Sequence, residues 1–240
     1  MNSSMSSFKR QIGKLLILLT FITMVFSFGA VMLFLPPEST FEKTYGSGHL
    51  AKVMFVHVPF AVVSFLAFVI AAYYGATYLR WRDIRFDLLS CASAEVGLLY
   101  AFVATLTGAI WAKYAWGTFW NWDPRQVTMI VVLSAYCAYF ALRSAVEGEE
   151  QKAIASSAYS VVAAFASFVN YFVLLNWLPS LHPQRVLLSK GSMGTDYRIV
   201  LLLSIIAHIL LCVCLIRLCA SCKWLEYRLV LLRTRGGLSD

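Results

Sequence analysis

Six long apolar runs, separated by short segments that carry charges, organise the sequence. A helix needs about 20 consecutive, mostly apolar residues to cross the hydrocarbon core of a bilayer. Each run is close to that length, although the fourth is shorter than the others. The pattern therefore predicts an all-α, polytopic membrane protein, a bundle of six transmembrane helices with spans at 15–35, 53–79, 88–110, 127–142, 153–175 and 199–218.

Composition points to the same fold class. Of the 240 residues, 60% are apolar and 13% are charged, whereas soluble domains have about 45–50% apolar and about 25% charged residues. This composition argues against a soluble enzyme with one core. The high apolar content excludes a disordered chain, and the sparse cysteines, six in all, exclude a disulfide-stapled secreted scaffold. We expect residues 1–240 to form a single integral membrane domain.

The distribution of basic residues predicts the orientation of that domain, because Lys and Arg in short loops are retained on the cytoplasmic side. Thirteen basic residues lie in the two termini and in the loops after the second and fourth spans, and seven lie in the alternate set of loops. Both termini are therefore expected to be cytoplasmic. Topology accounts for much of the net charge of +8, so nucleic-acid binding gains no support from that charge.

An aromatic segment lies between the third and fourth spans, in the predicted external loop 111–126. Four of the seven tryptophans fall between Trp111 and Trp122, interleaved with Gly, Asn and Asp. Tryptophans at helix ends commonly form an interfacial belt, but a belt does not require those polar neighbours. A crowded aromatic shelf with polar groups favours binding of a flat, largely apolar ligand, because stacked rings contribute about 0.5–1.5 kcal/mol beyond burial.

Two histidines are predicted on the same side as this shelf. His57 lies near the outer end of the second span, and His182 lies in the loop after the fifth. A lone interfacial histidine is usually solvated, whereas two from different helices can supply two imidazoles to one metal on opposite faces of a planar macrocycle. Haem is the ligand that fits both the imidazoles and the aromatic shelf.

Other polar residues allow more than one interpretation. His49 lies in a glycine-flanked stretch and is expected to be a solvated loop residue. Within the spans, His208 and Glu95 are either functional groups or groups whose polarity is satisfied locally. Cys219 and Cys222 have redox or metal-ligand spacing, but no second pair lies nearby, so we interpret them as reduced residues at a helix end.

The run Trp116-Gly-Thr-Phe-Trp-Asn-Trp-Asp123 resembles the tryptophan-rich WWD signature of haem-handling proteins in cytochrome c biogenesis, W-G-x-[WF]-W-x-W-D. The Val-His-Val-Pro context of His57 is similar to the first haem-ligand histidine of these proteins. The Ser-Leu-His-Pro context of His182 is similar to the second. With six predicted spans, the chain most resembles the haem exporter protein C family, CcmC, over roughly residues 52–218.

The resemblance implies a site for haem b on the periplasmic surface of the inner membrane. His57 and His182 are implied to be the axial ligands of the iron. The implied platform for the haem consists of Trp116, Gly117, Phe119, Trp120, Trp122 and Asp123. Since Pro124 follows Asp123, that carboxylate is expected either to cap the fourth helix or to contact a partner.

The resemblance also implies partners and a role. A CcmE-like haem chaperone would receive the haem covalently, and a CcmA-like ATPase, a CcmB-like membrane subunit and a CcmD-like single-span helper would complete an ABC-type complex. The chain offers no triad, paired carboxylates or phosphate loop, so we expect a transfer scaffold and not an enzyme. Two alternatives stay open: a component of a CcsA- or CcmF-type cytochrome c haem lyase, and a non-haem solute transporter whose aromatic loop gates a pore.

Overall fold

A computed structural model describes residues 2–174, 177–182 and 194–235. The described residues form seven α-helices and no strand. The helices are α1 (Asn2–Gly29), α2 (Ser39–Tyr45), α3 (Met54–Trp81), α4 (Ile84–Trp116), α5 (Pro124–Ala145), α6 (Glu149–Phe168) and α7 (Thr195–Arg235). π-helical turns continue α1 over Ala30–Phe34 and α6 over Val169–Leu174, and a 3-10 helix over Gly48–Val53 leads into α3.

Within these ranges, five helical segments are long and apolar enough to cross a membrane. They are Gln11–Phe34, Gly48–Trp81, Ile84–Trp116, Pro124–Ala145 and Thr195–Thr234. The all-α, polytopic membrane fold is thereby confirmed. Helix α6 and its π-helical turn cover most of the predicted fifth span. The charged and amide side chains of its first turn, together with several serines, lower the hydropathy of α6, and it is not among the five. The count of six spans and the cytoplasmic placement of both termini stay predictions.

Several helices extend beyond their predicted ends. Helix α4 continues to Trp116, and α5 begins at Pro124, so the predicted loop 111–126 is in fact confined to residues 117–123. Gly117 ends α4 because its φ of 80° lies in the left-handed region that favours glycine. The fourth span, predicted as 127–142, is a helix of 22 residues. Parts of the predicted outer loop after α6, including Arg185 and Lys190, lie outside the described residues.

Aspartates cap the N-termini of two helices. The Asp83 carboxylate accepts a hydrogen bond from the Arg85 backbone N–H at 3.0 Å at the start of α4, and the Arg85 side chain lowers the pKa of this carboxyl. Asp123 accepts from the Arg125 N–H at 2.9 Å at the start of α5, with Pro124 in the first helical position. The cap expected of Asp123 is therefore confirmed.

Helix α3 lies at the centre of the bundle and packs against α4, α6 and α7. Helix α1 runs antiparallel to α7, because the Ser27 hydroxyl meets that of Ser204 at 2.5 Å and Thr20 Oγ1 lies 3.4 Å from Cys214 Sγ. A hydrophobic cluster near the start of α3 joins α2, the 3-10 helix, the end of α4 and the start of α7. Its centre includes Trp111, against which the half-buried Tyr45 packs edge-on, and burial raises the pKa of Tyr45.

A buried ion pair joins α4 and α5 at the opposite end of the bundle. Arg143 donates to both carboxylate oxygens of Asp87 at 2.7 and 2.9 Å, and its guanidinium also donates to Ser156 Oγ on α6 at 2.6 Å. The sequence pattern assigned Arg143 to a cytoplasmic loop, but α5 extends past it and its side chain is only 14% exposed. The Arg143 guanidinium therefore links α4, α5 and α6, in addition to the effect on membrane orientation predicted from the sequence.

Candidate functional site

A partly enclosed cavity of about 290 Å³ lies where α3 begins and α4 ends. Its walls come from α3, α4, the first turns of α5, the π-helical turn after α6, and His182. Pockets for small molecules usually measure about 300–1,000 Å³ and are mostly apolar with a few polar groups. The cavity has that character, and its size suits one edge of a flat molecule.

His57 lies in the first turns of α3, and its imidazole rests against α4. Its Nδ1 atom is 3.0 Å from the carbonyl oxygen of Ala104 and 3.3 Å from Thr107 Oγ1. Because a carbonyl oxygen can only accept, Nδ1 carries a proton, and in the neutral imidazole Nε2 then keeps its lone pair. Histidines that bind metals are usually held in this way through the other ring nitrogen. The absence of a side chain at Gly108 permits the approach, since a Cβ atom there would lie 2.8 Å from His57 Cε1.

His182 brings a second imidazole to the same cavity. The ring centres of His57 and His182 are 6.0 Å apart, and the ring planes are inclined at 36°. The His182 ring also contacts the indoles of Trp111 and Trp116, at centre distances of 5.6 and 6.4 Å. These indoles meet each other edge to face. The two histidines singled out from the sequence are therefore adjacent, and an aromatic pair supports the second.

The loop between α4 and α5 is closed by side-chain hydrogen bonds. Gln126 Nε2 donates to the carbonyl oxygen of Phe119 at 3.1 Å, and its Oε1 accepts from the Asn121 N–H at 3.0 Å. Trp122 adopts a φ of 60°, which is unusual for a residue with a large side chain. The loop is therefore a defined structural element between two helix ends.

The Asp123 carboxylate connects this loop to the segment that carries His182. It accepts hydrogen bonds from Ser180 Oγ at 2.9 and 3.0 Å and from the Leu181 N–H at 2.8 Å. Ser180 Oγ in turn accepts from the His182 N–H at 3.1 Å. Asp123 is 5% exposed. The carboxylate that caps α5 thus also contacts the backbone next to the second histidine.

The structure divides the residues expected to form the site into two groups. His57, His182, Trp116 and Trp120 line the cavity. The others lie outside its wall, namely Gly117, Phe119, Trp122 and Asp123. Phe119 and Trp122 are 56% and 76% exposed. They form an outer rim and do not contribute to the cavity floor.

Comparison with known proteins decides the family. A family model described as CcmC, heme exporter protein C, matches residues 2–232. The chain belongs to the haem exporter protein C family. The resemblance carried by the WWD run and the two histidine contexts is thereby confirmed.

Similar individual proteins come from bacteria and a plant mitochondrion. A heme exporter protein C of Bradyrhizobium diazoefficiens is 31% identical over 71% of this chain and 65% of its own length. One of Paracoccus denitrificans is 30% identical over 64% of this chain and 62% of its own length. A putative cytochrome c biosynthesis ccmC-like mitochondrial protein of Marchantia polymorpha is 27% identical over 67% of this chain and 66% of its own length. The chain thus matches slightly less than two thirds of the two bacterial proteins.

Sequence reasoning missed several residues of the cavity. Gly108 and Tyr171 carry no local signal, because their role depends on which helix lies opposite. Arg125 and Gln126 also line the cavity, although the sequence pattern suggested only a topological role for the former. Trp111 belongs to the aromatic segment that the sequence pattern assigned to a loop, but it lies on a helix because α4 continues to Trp116.

The remaining polar candidates have local explanations. His49 is exposed, as expected, in the 3-10 helix before α3. His208 is buried, and its Nδ1 lies 2.8 Å from the Ser204 carbonyl oxygen one turn earlier. Glu95 accepts a hydrogen bond from Lys223 Nζ at 2.5 Å. Among the described residues, no group of three or more His, Cys, Asp or Glu side chains could hold a metal ion by themselves.

Proposed function

We propose that this protein binds haem b between His57 and His182 and presents it to a haem chaperone during cytochrome c maturation. The observation that carries the proposal is the approach of the two imidazoles, 6.0 Å between ring centres, at the wall of an apolar cavity lined with tryptophans. The names of the relatives, a heme exporter protein and a cytochrome c biosynthesis protein, support the same cargo.

The separation of the imidazoles suits two axial ligands of one iron. One nitrogen of each imidazole would hold the iron, so that the two rings would lie on opposite faces of the haem. His57 Nε2 is available as a ligand because Nδ1 donates to the Ala104 carbonyl. Apolar side chains such as Val62 and Phe65 offer the dry surface that a macrocycle requires.

The cavity also offers donors for the carboxylates of haem. Trp111 Nε1 and Arg125 Nε are buried, and neither has a hydrogen-bond partner within the described part of the chain. Leaving a buried donor unsatisfied costs about 1–3 kcal/mol, so an acceptor on the cargo would stabilise both groups. A guanidinium is well suited to a carboxylate. We therefore infer that at least one haem carboxylate faces Arg125.

In this function the protein is a scaffold that coordinates and orients haem, and it is not an enzyme. Holding two reactants in the correct geometry can supply a large part of the rate advantage. We place the site on the periplasmic side of the inner membrane, where a CcmE-like chaperone would accept the haem. A CcmA-like ATPase, a CcmB-like membrane subunit and a CcmD-like helper would complete the complex.

The test is an absorption spectrum of the purified full chain, oxidised and reduced, after expression with haem available. We expect a low-spin, six-coordinate spectrum, and we expect His57→Ala and His182→Ala to open one axial position each, with added imidazole restoring the low-spin form. His49→Ala is the matched control, because His49 is exposed and outside the cavity wall. A colourless protein would contradict haem binding and favour a solute transporter. Unchanged spectra in both cavity variants would contradict the axial assignment.

A further inference from the structure

Asp123 makes more hydrogen bonds than its role as a helix cap requires. A cap needs one acceptor for the free N–H groups of the first turn, and the bond from Arg125 supplies it through Oδ1. The other oxygen, Oδ2, accepts from the Leu181 N–H and from Ser180 Oγ, which come from a segment far along the chain. Oδ2 of Asp123 therefore binds residues 180–181 and takes no part in the cap.

These bonds act on the backbone immediately before His182. Ser180 Oγ donates to the Asp123 carboxylate and accepts from the His182 N–H at 3.1 Å. Ser180 and Leu181 are therefore bound directly to this buried carboxylate, and the His182 amide is bound to it through the Ser180 hydroxyl. Bonds to an ionised acceptor are about twice as strong as neutral ones. The link therefore holds the backbone of residues 180–182 against the start of α5.

We propose that Asp123 is a positioning residue for His182: it holds residues 180–182 against the end of the WWD loop so that the second imidazole faces the first, and it does not itself contact haem. This inference rests on the proposed haem function for its consequence, but the link itself exists without haem. Asp123 lies outside the cavity wall, which agrees with an indirect role.

The first experiment measures the link in the haem-free protein by hydrogen exchange. In Asp123→Ala and in Ser180→Ala, amides of the peptide covering 177–182 should exchange about tenfold faster or more, because each variant removes an acceptor or a bridging hydroxyl. Ser180→Ala leaves the α5 cap intact, so the N-terminal amides of α5 should keep their protection in that variant. Unchanged exchange at 177–182 in both variants would overturn the proposal.

The second experiment follows haem coordination. Asp123→Ala and Ser180→Ala should shift the bound haem from low spin toward the five-coordinate form seen in His182→Ala, weaken haem retention about 10- to 100-fold, and respond to added imidazole. Asp83→Ala is the matched control, because Asp83 caps α4 in the same way at the other end of that helix. Its haem spectrum should equal that of the unmodified protein.

The outcomes separate this proposal from the proposed function. If the unmodified protein binds no low-spin haem, the haem function fails, whereas faster exchange at 177–182 would still support the link. If the unmodified protein is low spin and both variants lose haem without any change in exchange or coordination, Asp123 acts on haem or on the chaperone directly, and the positioning role is wrong. If Asp83→Ala changes the spectrum equally, loss of a helix cap explains the effect and the proposal also fails.

Discussion

Adding one methyl group at Gly108 tests the geometry of the first histidine. The Cβ atom of Gly108→Ala would lie 2.8 Å from His57 Cε1 and 3.3 Å from Nδ1. Carbon atoms in contact normally lie about 3.5–4.0 Å apart, so the imidazole must withdraw by about 0.7 Å or more. The ring is the movable partner, because α3 and α4 pack closely along their length.

That displacement has a calculable consequence for the hydrogen bond that sets the tautomer. The bond from Nδ1 to the Ala104 carbonyl measures 3.0 Å, and a withdrawal of about 0.7 Å away from that oxygen would lengthen it to about 3.7 Å, beyond the range of a hydrogen bond. Its loss costs about 0.5–1.5 kcal/mol. Second-sphere changes of this kind lower the affinity for a metal by about 10- to 100-fold. We therefore expect Gly108→Ala to bind haem about 10- to 100-fold more weakly than the unmodified protein.

The assay compares haem retention and the reduced spectrum of Gly108→Ala with those of Gly29→Ala. Gly29 is helical, and a Cβ there would meet nothing within 4 Å, so this control reports the effect of a helical Gly→Ala change alone. We expect the low-spin, six-coordinate spectrum to be weakened only in Gly108→Ala. Equal haem retention in the two variants, with identical spectra, would refute the contact between α4 and the imidazole as the feature that orients His57.

Two further predictions concern topology and stability. A reporter that is active only outside the cytoplasm should be silent when fused after Asp240 and active when inserted near Ser189, which lies outside the described residues; the opposite pattern would contradict the orientation. Arg143→Leu should lower the free energy of unfolding by about 3–5 kcal/mol, because it leaves the Asp87 carboxylate buried without its partner. Thermal unfolding in detergent measures this loss, and Lys152→Leu, which breaks an exposed pair, should cost less than about 1 kcal/mol. Equal losses in the two variants would argue against a buried pair.

The helix ends show how far local patterns extend. Asp123 followed by Pro124 is a readable start signal, and the structure begins α5 there. The end of α4 was predicted too early, because the tryptophans were interpreted as a loop, whereas a helix continues until its backbone is stopped at Gly117. Trp111 consequently lies on a helix next to His182. Local residue types thus indicated which end of the bundle carries the cavity but placed the end of α4 too early.

The candidate site divides in the same way. The two histidines and the WWD run could be recognised because their residue types and spacing are unusual in an apolar chain. The contributions of Gly108 and Ser180 could not, because each depends on a contact between segments far apart in the sequence.

The sequence by itself determined the membrane class, the all-α fold and the approximate helices, because the length of each apolar run can be compared directly with the thickness of a bilayer. It also indicated the family, through the WWD run and the two histidine contexts. Only the tertiary structure decided which side of each helix faces the cavity. A helix that is apolar on all sides carries no amphipathic signal to orient it. The meeting of His57 with His182, the two roles of Asp123 and the burial of Arg143 against Asp87 therefore follow from packing between distant segments, which no local pattern records.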